Sequence, residues 1–138
     1  MRPQILNDVE FEGGAVRAGE KLREARHKDP QAQLWPEISM TAIGENFLRE
    51  GDNKTATEVF RLNLLAYPDS ADIEDNLADA YLADGQKELA RKYAQKPLAI
   101  LDAHHVPASS WTDTAEYRGE IRRDAQKILD QLSEKHPH

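Results

Sequence analysis

The sequence predicts an all-α protein, an array of antiparallel helical hairpins that ends in a capping helix. Two observations predict this fold. Apolar residues recur at helical spacing along most of the chain. The middle of the chain also aligns with itself after a shift of 34 residues, the distance from Gly51 to Gly85. Because the chain has 138 residues, the size of one ordinary domain, we expect a single domain over residues 1–138.

A weaker copy of the repeated pattern occupies residues 1–30 and lacks the beginning of its first helix. A copy that starts in mid-helix predicts that the chain is a fragment or tail of a larger protein. The residues that occupy corresponding positions in this copy are Ile5, Val9, Gly13, Ala18, Leu22, Ala25 and Pro30.

The first complete hairpin is predicted over residues 37–70. Gly51 suits the left-handed conformation that ends many helices, and Asp52 can accept hydrogen bonds from the first amides of the next helix. That second helix is expected to stop at Tyr67-Pro68, since proline ends helices. The apolar residues with helical spacing in this unit are Ile43, Phe47, Leu48, Ala56, Val59, Phe60 and Leu64.

The second hairpin is predicted over residues 71–104, with Asp69 and Ser70 as its caps. Pro97 falls inside its second helix and removes one amide donor, so we expect a kink or break near Gln95–Pro97. The residues that align between the two units are Ile43 with Leu77, Gly44 with Ala78, Phe47 with Tyr81, Gly51 with Gly85 and Ala56 with Ala90.

A capping helix is predicted over residues 110–133. Ser110 and Asp113 form a plausible capping pair at its start. A repeat array needs such a helix to cover its last apolar face. The residues that give this helix its apolar face are Trp111, Ala115, Ile121, Ala125, Ile128, Leu129 and Leu132.

The two complete units resemble the tetratricopeptide repeat (TPR). The resemblance rests on Asn76-Leu-Ala-Asp-Ala-Tyr81, with Gly85, Ala90 and Gln95-Lys96 at matching positions. It implies a right-handed α-solenoid. Three residues depart from the family pattern: Asn63 and Pro97 replace small residues, and Asp102 replaces a proline.

A further resemblance covers roughly residues 12–103. Segments Phe60–Ser70 and Asn76–Leu82 resemble the repeat tail of many bacterial serine hydrolases, of the α/β-hydrolase and β-lactamase-related kinds. The nucleophile motifs of those enzymes, Gly-x-Ser-x-Gly and Ser-x-x-Lys, do not occur in this sequence, so no activity carries over.

The TPR resemblance implies a protein-binding groove lined by the first helix of each hairpin. We expect a non-catalytic protein-interaction or assembly module, or alternatively a structural spacer or dimerisation element that packs on a parent serine hydrolase. Because the groove is acidic, the expected partner is a basic peptide segment of another protein, of the parent hydrolase or of this chain. Within the chain, the basic side of the capping helix carries Arg118, Arg122, Arg123 and Lys127. The candidate groove residues are Thr41, Glu45, Arg49, Asp72, Asp75, Asn76 and Asp79.

Composition excludes several functions. The chain has 18 Lys and Arg against 25 Asp and Glu, a net charge of −7, which argues against nucleic-acid binding. Its apolar runs are too short for membrane insertion. Cysteine is absent, which removes disulfides and thiolate metal sites. The first residues show no signal-peptide pattern, so the compartment stays open, with cytoplasm expected ahead of periplasm.

No residue pattern predicts a catalytic, metal or cofactor site. The histidines His27, His104, His105, His136 and His138 lack the spacing of a zinc motif. A dense set of acids lacks the ligand order of an EF-hand, and we interpret it as helix N-terminal charge on a solvated face. These acids are Asp69, Asp72, Glu74, Asp75 and Asp79.

Overall fold

The computed structural model describes residues 3–11, 13–103 and 115–133. Helices account for 80% of these residues and no strand occurs among them, which confirms the all-α prediction. No helix in these ranges is long and apolar enough to cross a membrane. The helices are α1 (Gln4–Asp8), α2 (Gly14–Lys28), α3 (Glu37–Arg49), α4 (Asn53–Ala66), α5 (Ala71–Ala83), α6 (Lys87–Asp102) and α7 (Ala115–Ser133).

The chain forms two compact units, Met1–Tyr67 and Pro68–His138. In the first unit α2 packs against α1 and α4, and α3 pairs with α4; in the second, α5, α6 and α7 pack against one another. The boundary falls close to the predicted junction between the hairpins 37–70 and 71–104. The prediction of one domain over residues 1–138 stays a prediction.

Each unit contains a hairpin closed by the same glycine turn. Gly51 and Gly85 both adopt positive φ, +87° and +77°. In the first turn the amides of Gly51 and Asp52 donate to the carbonyls of Leu48 at 3.1 Å and Phe47 at 3.0 Å, which is a Schellman motif. The second turn repeats both bonds. The predicted left-handed helix end at Gly51 is confirmed.

Two of the predicted helix caps, Asp52 and Ser70, also form, and Ser70 rather than Asp69 is the N-cap of α5. An Asp52 carboxylate oxygen accepts from the amide of Thr55 at 3.2 Å, and Ser70 Oγ accepts from the amide of Ile73 at 3.2 Å. Helix α4 ends at Ala66, directly before the Tyr67-Pro68 pair. Local capping and proline chemistry therefore place these helix ends.

Close packing of α3 on α4 depends on one small residue. A Cβ atom added at Gly44 would overlap the ring of Phe60, which lies fully buried in the hairpin. Only glycine lets the two helices approach this closely, as the small residues in the repeat pattern indicate.

Helix α6 continues through Pro97, so the predicted break near Gln95–Pro97 is wrong. Proline lacks the amide that would bond to the carbonyl of Tyr93. Pro97 is itself buried, and burial of its ring within the second unit helps to offset that lost bond. The predicted kink stays a prediction.

Helix α7 buries the predicted apolar face in the second unit. The residues that lie inside are Ile121, Ala125, Ile128 and Leu132. The predicted start of this helix, with Ser110, Trp111 and Asp113, lies outside the described residues.

Candidate acidic site

The predicted groove residues are divided between the two units. Thr41, Glu45 and Arg49 lie on α3 of the first unit. The other four, Asp72, Asp75, Asn76 and Asp79, lie on α5 of the second unit. A continuous groove made by both sets stays a prediction.

On α3, one predicted groove residue is part of the core. Thr41 is 4% exposed, and its hydroxyl oxygen accepts a hydrogen bond from Asn63 Nδ2 at 3.1 Å. Glu45 and Arg49 are exposed, and Arg49 donates to the side-chain oxygen of Asn46 at 3.2 Å. A partner could therefore reach Glu45 and Arg49 on this helix but not Thr41.

On α5, the predicted acids lie on one side of the helix but differ in exposure. Asp72, Asp75 and Asp79 are three and four residues apart, the spacing of neighbours on a helix surface. Asp75 is 6% exposed, whereas Asp72, Asn76 and Asp79 are half-buried. Asn76 Nδ2 donates to Asp72 Oδ2 at 3.4 Å.

The interpretation of the α5 acids as a solvated face is wrong for Glu74 and Asp75. Each of these residues is only 6% exposed, and one carboxyl oxygen of Glu74 is buried without a hydrogen-bond partner. The physical reason is that α6 and α7 both pack against α5, so little of this helix is left to face water.

Helix α7 adds an acid that sequence reasoning missed. Carboxylate oxygens of Asp75, Asp79 and Asp124 all lie within 4.8 Å of one another. We call these three residues the acidic cluster. Asp124 falls between the buried residues Ile121 and Ala125 on α7. An acid next to an apolar helix face was the signal that could have found it.

The surroundings of Asp75 favour its protonated form. Burial is the largest cause that raises the Asp75 pKa above the ordinary range of an aspartate. A hydrogen bond with Asp124 raises this pKa further, and so do the negative charges of Asp124, Asp79 and Asp72. Asp75 therefore keeps its proton at a pH at which a lone surface aspartate has lost it.

The neighbouring Glu74 is perturbed in the same direction. Burial raises the pKa of Glu74 to about 7, with a smaller contribution from the charge of Asp69, while the charge of Lys96 acts in the opposite direction. Its carboxyl group therefore changes charge close to neutral pH.

The structure places an acid of α7 beside Asp75. This acid is Asp124. Arg122 instead donates to an Asp102 carboxylate oxygen on α6 at 2.7 Å, and Arg123 and Lys127 are exposed. The hypothesis that the basic side of α7 fills the acidic groove stays a prediction.

The first unit also buries polar groups, around Asn63. The Asn63 side chain is fully buried; it accepts from Trp35 Nε1 at 2.9 Å and donates to the Glu37 carbonyl and to Thr41, both at 3.1 Å. The Tyr67 hydroxyl donates to the carbonyl of Trp35. We call this set the Asn63 network. Trp35 is buried in this network, which also gives Asn63, a departure from the repeat pattern, a structural role.

The first unit has an open apolar groove between α2 and α4, with a volume of about 400 Å³. Val16 and Leu65 are 66% and 37% exposed within it. The groove, which we call the α2–α4 groove, is lined by Ala15, Val16, Gly19, Arg23, Glu58, Arg61, Leu62 and Leu65.

Among the histidines considered above as metal ligands, His27 is exposed on α2. His104, His105, His136 and His138 lie outside the described residues.

No protein-family model matches the chain, and no curated protein matches it either.

Proposed function

We propose that this chain is a non-catalytic protein-interaction or assembly module of TPR-like hairpins, part of a larger bacterial protein. The observation that supports this function best is the α2–α4 groove, because the apolar side chains of Val16 and Leu65 are exposed in it. Exposed apolar surface with a polar rim is typical of protein-binding sites.

The groove has the composition of a small docking site. Its floor is apolar, and Gly19 adds no side chain to it; a Cβ at this position would lie 3.6 Å from the Leu62 side chain. Its rim contains Arg23, Arg61 and Glu58, two positive charges against one negative. The partner that fits is a peptide segment with an apolar anchor next to an acidic residue.

The acidic face expected from the sequence would select the opposite partner. Glu45 is exposed and Asp72 and Asp79 are half-buried, so these acids could attract a basic segment. The charge of the selected peptide therefore distinguishes the two surfaces.

Selection from a random peptide display library on the immobilised chain tests the proposal. We expect peptides with an apolar residue beside an acid, and at least tenfold weaker binding to Val16→Asp and Leu65→Asp. Ile38→Asp is the matched control, since Ile38 is also exposed in the first unit, at 53%, but does not line the groove.

Two results would contradict the groove as the binding site. One is a library that yields no binders. The other is a set of basic peptides that bind both groove variants normally and lose affinity with Glu45→Lys or Asp79→Lys.

A structural spacer or dimerisation element on a parent serine hydrolase is the alternative function. Phe11 is 69% exposed and, with Val16, lines a second open groove of the first unit. Analytical ultracentrifugation tests this alternative. A concentration-dependent dimer that is lost in Phe11→Asp would favour dimerisation over binding of a peptide partner.

A further inference from the structure

The α2–α4 groove continues into the second open groove of the first unit. The two grooves, with volumes of about 400 and 420 Å³, share the lining residues Ala15, Val16 and Glu58. Val16 is 66% exposed in the shared part, Phe11 is 69% exposed in the second groove, and Leu65 is 37% exposed in the first. Together they form one surface with exposed apolar side chains along it, which we call the joint groove.

The joint groove has the length of a short helix. On α4, its lining residues run from Lys54 to Leu65, which is about 17 Å of helix at roughly 1.5 Å per residue. A partner helix of three turns, about 11 residues, has the same length.

A helix suits this surface better than an extended segment does. Helices α2 and α4 use their interior backbone amides and carbonyls for their own hydrogen bonds. An extended segment packed on them would bury backbone groups without partners, whereas a helix satisfies its own. Amphipathic helices bind apolar grooves of other proteins by their apolar faces in this way.

The two ends of the joint groove differ in charge. At one end, Arg23 and Arg61 are exposed bases. At the other end, the exposed acids Glu10 and Asp52 outnumber the base Lys54, and the part common to both grooves contains one further acid. Complementary charges steer a partner and fix its register. The occupant that fits therefore carries acids at one end and bases at the other.

We propose that the joint groove binds one amphipathic helix of a partner protein. The acids of this helix lie beside Arg23 and Arg61, and its bases lie beside Glu10 and Asp52. The inference rests on the proposed function and extends its site, since the apolar anchor with its acid becomes one end of a longer partner.

Two synthetic peptides of equal composition test the charge pattern. Both carry leucines at helical spacing, and both have blocked termini, which removes the terminal charges. The segregated peptide has Glu in its first half and Lys in its second, whereas the mixed peptide has Glu four residues before Lys throughout. Such pairs stabilise isolated helices, so greater helicity, measured by circular dichroism, would favour the mixed peptide. Fluorescence anisotropy with the full chain should nevertheless show at least tenfold tighter binding of the segregated peptide.

Variants at both ends locate the bound peptide. Phe11→Asp and Leu65→Asp should each weaken binding of the segregated peptide at least tenfold, and Arg61→Glu should remove its advantage over the mixed peptide. The matched controls are Ile38→Asp and Lys28→Glu, because both residues are exposed in the first unit and line neither groove. Circular dichroism checks that each variant folds, and Phe11→Ser replaces Phe11→Asp if that variant does not.

Three results would overturn the joint groove. They are binding that Leu65→Asp abolishes and both Phe11 variants leave unchanged, equal affinity for the two peptides, or a chain that dimerises through Phe11 and binds neither peptide. The first two leave the proposed function intact. Failure of the proposed function itself is a different result, in which the library selection yields no binders of the α2–α4 groove.

Discussion

The Asn63 network in the first unit and the acidic cluster in the second use buried polar groups in different ways. Asn63 is neutral and forms hydrogen bonds with Trp35, Glu37 and Thr41. Asp75 carries a carboxyl group that is buried among other acids. A neutral hydrogen-bonded network holds one arrangement under most conditions, whereas a carboxyl group buried among acids makes stability depend on pH.

Placing an acid in the Asn63 network should have the largest effect on stability. Asn63→Asp keeps the shape of the side chain but removes both hydrogen bonds donated by Nδ2. It also places a carboxylate at a fully buried position. We expect the free energy of unfolding at pH 7 to fall by about 3–4 kcal/mol. Urea unfolding followed by circular dichroism measures it.

The matched control is Asn46→Asp, since Asn46 is exposed on α3. This variant should change the free energy of unfolding by less than about 0.5 kcal/mol. A loss below about 1 kcal/mol for Asn63→Asp would show that the network is not what stabilises the first unit.

The buried carboxyl Glu74 should make stability fall as pH rises. Its pKa is about 7 in the folded chain against 4.5 for the free side chain, so the folded state holds the proton more tightly. The stabilisation is complete below pH 4.5 and is lost as pH rises through 7. We expect about 1–3 kcal/mol to disappear over this range, on the scale of 1.36 kcal/mol for each pKa unit.

The measurement is urea unfolding at several pH values, for the unchanged chain and for Glu74→Gln. The difference in the free energy of unfolding between these two proteins should fall as pH rises from 4.5 to 7. The exposed control Glu58→Gln should show the same pH dependence as the unchanged chain. A difference that is flat from pH 4.5 to 7, or that rises, would contradict the assignment.

A neutral amide at Asp75 should stabilise the chain, the reverse of the change at Asn63. Burial among other acids raises the Asp75 pKa, so folding at pH 8 requires this carboxyl group to take up a proton. Asp75→Asn removes that requirement and leaves an amide that can donate to Asp124. At pH 8, we expect the free energy of unfolding to rise by about 1–2 kcal/mol. Urea unfolding at pH 8 checks the sign, and destabilisation would mean that the carboxyl group itself is needed for folding.

The smallest effect is expected from the edge of the Asn63 network. Tyr67→Phe removes the hydrogen bond from the Tyr67 hydroxyl to the Trp35 carbonyl and should cost about 1 kcal/mol. Burial, with a smaller contribution from Glu37, raises the pKa of Tyr67, so this hydroxyl stays a donor at neutral pH. The Tm of Tyr67→Phe is compared with the Tm of Tyr93→Phe, a variant in the second unit. Equal losses in Tm would contradict a stabilising role for this hydrogen bond.

Features set by neighbouring residues were predictable from the sequence. Gly51, the Asp52 and Ser70 caps and the helix end at Tyr67-Pro68 each depend on a few residues of backbone geometry, and all lie where the pattern places them. Pro97 shows the limit of local rules, because the second unit keeps α6 helical through a residue that breaks helices in isolation.

The acidic cluster depends on contacts that are distant in the chain. The spacing of Asp75 and Asp79 indicated a shared side of α5, but only the rotation of α7 about its own axis decides that Asp124 faces them. For Thr41 the error was the opposite one, since a residue predicted to line an exposed groove is buried. Its place in the repeat pattern implied a groove, and its burial follows from the bulky pair Trp35 and Asn63, for which the pattern has no equivalent.

The two glycine turns also determine how fast structure can form. Each joins helices that pack on each other directly, and the main packing contacts in both units link helices that are adjacent or one apart in the chain. Chains with such local contacts fold in roughly microseconds to milliseconds. A ribosome adds only about 5–20 residues each second. Synthesis, rather than the search for native contacts, therefore sets the rate at which these hairpins appear.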